Sequence, residues 1–289
     1  MKISLASGKG GTGKTTVAVN LALALAGLGE SVTYADCDVE EPNGHIFLRS
    51  MWESSESVGI PIPAVDSSLC TDCGECGAIC RFSAIVCLGG TAMTFPELCK
   101  GCGGCSMVCA EKAISESVRE VGVVETGSVR VTDGDGSEEI HFVHGKLRIG
   151  EAQSPPLIRR VKERIPDEGV TLLDAPPGTS CPVIETIRGS DFVLLVTEPT
   201  PFGLNDLKLA VEMVRKIDIP FAVGVNRAGI GDDGVERYCR DEGIKIMLEI
   251  AYDRRIAEAY SRGIPILTAL PEYGALFEDV GRKILEGQS

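Results

Sequence analysis

The sequence predicts an α/β fold, a mostly parallel sheet with helices on both faces, interrupted by a small cysteine-rich α+β insertion. Three observations carry this prediction. Unbroken apolar segments alternate with amphipathic ones early and late in the chain, as strands buried on both faces of a parallel sheet require. A glycine-rich loop stands between the first such segment and an Ala/Leu-rich one. Cys70-x2-Cys73-x2-Cys76-x3-Cys80 returns at an offset of 29 residues as Cys99-x2-Cys102-x2-Cys105-x3-Cys109.

Ile3 to Ala6 is the first strand, Gly8-Lys9-Gly10-Gly11-Thr12-Gly13-Lys14-Thr15 the loop, and the helix runs through about Ala26. Strand, loop and helix in that order are the context of a phosphate-binding loop. Glycines let backbone N–H groups approach phosphate, and the helix N-terminus adds its positive dipole end. ATP is therefore expected on Gly8, Gly10, Gly11, Thr12, Gly13, Lys14, Thr15 and Thr16, with Lys14 on the β- and γ-phosphates and the Thr15 hydroxyl on Mg²⁺. Lys9 is a second lysine within the loop.

The second strand, Ser31 to Ala35, ends in Asp36-Cys37-Asp38-Val39-Glu40-Glu41-Pro42-Asn43. Carboxylates at a strand's carboxyl end beside a phosphate loop suit Mg²⁺ (Asp36) and orientation of an attacking water (Asp38). Val170 to Asp174 reads as the next buried strand, followed by Ala175-Pro176-Pro177-Gly178. Asp174 there is expected to hold Mg²⁺ through water, and the Gly178 amide to sense the γ-phosphate. Strands at 192–197, 220–225 and 244–250 alternate with helices near 204–216, 235–242 and 254–262. Asn226 falls at a strand's carboxyl end, where its amide suits a purine edge.

Eight cysteines at x2-x2-x3 spacing fit two [4Fe–4S] clusters. Zinc is the alternative, since Cys-x2-Cys pairs also build tetrahedral sites, but a doubled run of this form favours clusters. Ala84-Ile85 and Ala113-Ile114 follow at the same offset, so a whole unit is duplicated. In two-cluster ferredoxins the fourth cysteine of each run serves the other cluster. That pattern assigns Cys70, Cys73, Cys76 and Cys109 to one cluster and Cys99, Cys102, Cys105 and Cys80 to the other. Arg81 and Ala110 stand where proline usually follows the run.

The division expected is residues 1–63 and 118–289 for the ATPase domain and 64–117 for the insertion, with Ile60-Pro61-Ile62-Pro63 as an extended linker. Strand-like stretches span 118–149, with a hairpin turn at Asp133-Gly134-Asp135-Gly136-Ser137. That turn begins like a calcium loop but has Glu138 and His144 where the loop needs glycine and glutamate. His141 and His144 face opposite sides of a strand and read as surface residues. Of the other cysteines, Cys87 and Cys239 read as small packed residues, and Cys37 and Cys181 as packed residues within switch segments. Leu276, Phe277, Val280, Ile284 and Leu285 form an apolar stripe expected to dock on the core.

A net charge of −14 and a pI near 4.8 argue against wrapping nucleic acid or adhering to anionic lipid. Met1 leads directly into a strand with no signal-peptide pattern, and no apolar run reaches a membrane span, so a cytoplasmic protein is expected.

Gly-Lys-Gly-Gly-Thr-Gly-Lys-Thr, with its extra lysine, resembles the deviant Walker A motif of the MinD/ParA/nitrogenase iron protein class. Asp-Cys-Asp-Val-Glu-Glu-Pro-Asn and Asp-Ala-Pro-Pro-Gly-Thr-Ser-Cys-Pro extend the resemblance to MinD-superfamily ATPases carrying an inserted two-cluster ferredoxin domain. The resemblance implies a homodimer bridged by ATP with Lys9 acting in trans, Asp38 positioning water and Asn226 contacting adenine. It also implies an electron-transfer or Fe–S partner. Three functions are thus in view: nucleotide-coupled electron transfer first, then an Mrp-type cluster-transfer ATPase, then MinD-like positioning with structural clusters. The Mrp-type scaffold carries a C-terminal Cys-x2-Cys pair, and here that half has only Cys181 and Cys239.

Overall fold

In the computed structural model, residues 1–132 and 137–287 are described. The chain opens with β1 (Lys2–Ala6), α1 (Lys14–Gly27), β2 (Val32–Asp36), α2 (Gly44–Leu48) and β3 (Met51–Val65). The cysteine repeat follows: α3 (Glu75–Ile79), β4 (Ile85–Leu88), β5 (Thr91–Thr94) and α4 (Gly104–Val108). Then come β6 (Ile114–Thr132), β7 (Ser137–Leu147), α5 (Pro155–Glu163), β8 (Val170–Asp174), α6 (Cys181–Ile187), β9 (Phe192–Thr197) and α7 (Pro201–Ile217). The chain closes with β10 (Phe221–Ala228), α8 (Gly234–Asp241), β11 (Ile246–Ala251), α9 (Arg254–Ser261), α10 (Ile266–Ala269) and α11 (Gly274–Leu285). The turn expected at 133–137 lies outside the described residues, apart from Ser137 at the start of β7.

Two compact units result. The first comprises Met1–Ser55, Val124–Lys146 and Ile158–Ser289, the second Glu56–Val123 and Leu147–Leu157. The second is thus larger than the expected 64–117. The 60–63 segment is not a linker: Pro61 and Pro63 lie inside β3, last in the sheet order, where an edge strand tolerates residues that cannot donate to a ladder.

The nine-stranded sheet has the strand order β11-β10-β9-β1-β8-β2-β7-β6-β3. β1 pairs parallel with β8 and β9, β2 parallel with β8 and β7, and β10 parallel with β9 and β11. Because successive strand residues point to opposite faces, β9 sends Phe192, Leu194 and Val196 into one core and Val193 and Leu195 into the other. Helices α1 and α11 cover the first face, and α6, α7 and α8 the second. α1 is buried nearly all round by its Ala, Val and Leu residues, as a central helix must be. The C-terminal stripe docks as expected: Phe277, Val280 and Ile284 are buried in the α1 core, where a Cβ on Gly281 would come within 3.0 Å of Leu25.

His144 departs from its surface reading. It is fully buried, its ring stacked 4.4 Å from Trp52 and edge-on to Phe142, while Nε2 meets Glu125 Oε2 at 2.8 Å. Phe142 and His144 share a strand face two residues apart, so the apolar side that buries one buries the other.

In the second unit the repeat is geometric as well as textual. Residues 72 and 101, 74 and 103, and 83 and 112 all have positive φ, and each pair is separated by the same offset of 29. Gly74 and Gly103 start α3 and α4 from the left-handed region, and Cys80 and Cys109 end them in extended conformations. Cys76, Ile85, Ala92 and Ile114 form the small core, with Cys70, Cys80, Cys87, Cys105 and Cys109 packed against it.

Candidate functional sites

In the first unit, β1, β8 and β2 deliver their carboxyl ends side by side, so Ser7, Asp174 and Asp36 meet where ligands bind in parallel sheets. Lys14, first residue of α1, places Nζ 2.5 Å from Asp174 Oδ1, with both side chains buried. The Tyr34 hydroxyl donates to Asp174 Oδ2 at 2.9 Å. Desolvation pulls the Lys14 ammonium down, but the charge and hydrogen bond of Asp174, with Asp38 and Asp36 adding to them, together hold the pKa above the ordinary value. Tyr34 is a partner that the sequence reading missed. Its signal in the sequence was a tyrosine two residues before Asp36 in a strand that is buried throughout.

Asp36 is fully buried and accepts from the amides of Asp38, Asn43 and Gly44 at 3.1, 3.1 and 2.9 Å. Burial and the neighbouring Asp174 push its pKa up to about 8. Asp38 lies on the wall of a cavity of about 360 Å³ together with Lys9, Gly10, Gly11, Thr12, Gly13, Lys14, Thr15, Thr16, Pro177 and Asn226. Burial raises Asp38 to about 6, with Lys14 pulling it back. Asp36 and Asp174 are not on that wall. The Thr12 hydroxyl is buried and has no hydrogen-bond partner among the described residues.

Three expected residues are otherwise engaged. The Gly178 amide donates to Ser7 O at 2.9 Å. Asn226 Nδ2 donates to Thr12 O at 2.9 Å, so its amide braces the loop. A Cβ on Gly13 would stand 2.1 Å from that nitrogen, and Gly13 has φ +90°, so only glycine fits there. Lys9 Nζ lies 2.6 Å from Glu198 Oε1, and Glu198 Oε2 accepts from Arg227 at 3.0 Å. Gly8 is required by the close pass of α7, since its Cβ would meet the Asp206 carbonyl at 2.3 Å.

In the second unit the cysteines sort into two cavities. One, about 310 Å³, is lined by Cys80, Cys99, Cys102 and Cys105. The other, about 20 Å³, is lined by Cys70, Cys73, Cys76 and Cys109, and also by Cys87. Each set draws its fourth thiol from the opposite half of the repeat. Among the described residues no three His, Cys, Asp or Glu side chains converge on a point where one ion would sit. Backbone amides instead aim at sulfur: Ala84 to Cys80 at 3.3 Å, Gly101 to Cys99 at 3.4 Å and Ala113 to Cys109 at 3.3 Å. Amides of Asp72 and Ala92 hold the Cys70 thiol below its ordinary value. These are donors for anionic sulfur, and together with four thiols per set they match the chemistry of a thiolate-held Fe–S group.

Cys87 is not simply packed: its Sγ is 3.6 Å from Cys76 Sγ. Burial, and then Cys87, push the Cys76 thiol up to about 12. Cys37 and Cys239 are buried, whereas Cys181, first residue of α6, is exposed. No helix among the described residues is long and apolar enough to cross a membrane.

The family described as the CobQ/CobB/MinD/ParA nucleotide binding domain matches residues 3–266. An uncharacterized protein of Methanocaldococcus jannaschii is 28% identical over 274 residues, covering 91% of this chain and 90% of its own. An iron-sulfur cluster carrier protein of Pyrococcus horikoshii is 24% identical over 286 residues, covering 92% and 79%. Among solved structures, the septum site-determining protein MinD of Pyrococcus horikoshii, complexed with Mg-ADP, aligns with a TM-score of 0.61 at 19% identity, over 99% of this chain and 97% of that one.

Proposed function

The chain belongs to the CobQ/CobB/MinD/ParA nucleotide-binding family, and from that premise we propose a Mg²⁺-dependent ATPase that couples its nucleotide state to electron transfer through two [4Fe–4S] clusters. The observation that carries the cluster part is the sorting of eight thiols into two sets of four, each borrowing one member from the other half of the repeat. The clusters, when bound, supply one-electron chemistry.

The chain's own residues do the rest. The loop from Gly8 to Thr16, of which Lys9 to Thr16 line the cavity, receives the phosphates of ATP on backbone N–H groups, and Lys14 exchanges its Asp174 partner for the β- and γ-phosphates. Thr15 and Asp174 are the residues that would hold Mg²⁺, which would supply charge neutralisation at the phosphates. Asp36, tied to three amides of the segment that carries Asp38, sets where Asp38 stands. Asp38 orients the water whose oxygen bonds to the γ-phosphorus as the β–γ bridging P–O bond breaks, releasing ADP and phosphate. Two copies face one another across ATP, with Lys9 released from Glu198 to reach the partner's nucleotide. The residues between the Asp38 segment and Asp174 in chain order include the whole cysteine repeat, and this order in the sequence supports a coupling of the cluster unit to the two segments proposed to respond to the γ-phosphate.

The test is anaerobic reconstitution followed by redox titration with Mg-ATP, Mg-ADP or no nucleotide. A cluster potential or acceptor-reduction rate that differs with nucleotide is the expected result. Identical values in all three states would remove the coupling. A second reading, a cluster carrier, is favoured by the similarity to the iron-sulfur cluster carrier protein of Pyrococcus horikoshii and by the exposed Cys181. Iron passing to an apo-acceptor protein in the same preparation would select it instead.

A further inference from the structure

The two halves of the repeat serve as controls for one another. Every cysteine from 70 to 80 has a cysteine counterpart 29 residues on, but Cys87 has Glu116. Both residues line the cavity of their own half, so Cys87 is a fifth thiol where four suffice. Its Sγ stands 3.6 Å from Cys76 Sγ. β4 packs directly against α3 at this point, with a Cβ built on Gly77 in ordinary van der Waals contact 3.6 Å from Val86 Cα and 3.7 Å from Cys87 N. The cavity that holds this pair is about 20 Å³, against about 310 Å³ for its counterpart.

We propose that Cys76 and Cys87 form a reversible disulfide that gates iron loading of the Cys70/Cys73/Cys76/Cys109 cavity. The gate rests on the cluster reading above. Closing the bond shortens the sulfur separation from 3.6 Å to about 2.0 Å and removes one of the four ligands. The oxidant is a low-molecular-weight disulfide such as oxidised glutathione. One protein thiolate attacks it and expels one small thiol, leaving a mixed disulfide. The second protein thiolate then displaces the other small thiol. Two protein thiols are oxidised and one small disulfide is reduced to two thiols. Glu116 cannot make this bond, so the other cavity has no counterpart of this gate.

The experiment strips the full chain of iron with a chelator, treats one half of the sample with oxidised glutathione and the other with dithiothreitol, and alkylates the remaining free thiols of an aliquot for peptide mapping. A Cys76–Cys87 cross-link is expected in the oxidised sample. Anaerobic loading with iron and sulfide should then reach about four irons per oxidised chain and about eight per reduced chain. Cys87→Ser should reach about eight after either treatment. A cross-link elsewhere, or oxidised Cys87→Ser losing half its iron as the wild type does, overturns the gate. A reduced wild-type chain that takes up no iron overturns the cluster reading and the gating role with it, while the peptide map still reports separately whether the disulfide forms.

Discussion

Lys14 Nζ and Asp174 Oδ1 lie 2.5 Å apart in the interior of the first unit, joining the start of α1 to the end of β8. The two residues to which the proposed phosphate chemistry gives its lysine and its Mg²⁺ carboxylate thus neutralise one another, and Tyr34 holds the second carboxylate oxygen. Removing the lysine leaves a buried carboxylate whose remaining side-chain partner among the described residues is the Tyr34 phenol. Lys14→Ala is expected to lower unfolding free energy by about 3–5 kcal/mol and to abolish ATP binding. Urea denaturation and calorimetric titration read the two effects, and a stability equal to wild type would count against the pair.

His144 supplies a pH dependence. Burial lowers its pKa from 6.5 to about 4, with Lys146 and His45 adding to the effect and Glu125 opposing it. Between these values the unfolded chain binds a proton that the fold does not, so stability rises with pH from about 4 to 6.5 and is unaffected by this group above that. The full contribution is on the order of 3 kcal/mol. His144→Phe keeps the stacking volume against Trp52, and urea midpoints for this variant should vary less between pH 4.5 and 7.5 than those of wild type.

The crossed thiol sets separate Cys80 from its own run. Cys80→Ala is expected to perturb the same electron paramagnetic resonance signal as Cys99→Ala, and Cys109→Ala the same signal as Cys70→Ala. Uncrossed pairing of the signals would reject the assignment, and zinc in place of iron in anaerobically purified protein would reject the clusters.

Asn226 braces the loop through Thr12 O. Asn226→Ala removes that bond, with an expected loss of about 1 kcal/mol in stability and a several-fold weaker ATP affinity. Equal losses for ATP and GTP would assign the residue to loop support, and a loss confined to ATP would assign it to the base.

Much of this was legible in the sequence, because local pattern carries local structure. Strand, glycine loop and helix are contiguous at residues 3–26, and the doubled cysteine spacing repeats as a backbone with positive φ at matching positions. Spacing alone therefore determined the phosphate loop, the parallel α/β class and the thiol repeat. It did not determine which partners meet across the fold. Lys14 and Asp174 are 160 residues apart, Asn226 and Thr12 are 214 apart, and Lys9 meets Glu198. The burial of His144 and the contact of Cys87 with Cys76 likewise depend on which strand or helix packs opposite. Side-chain pairings of this kind arise from the register of the sheet and the docking of helices, and only the tertiary structure decides them.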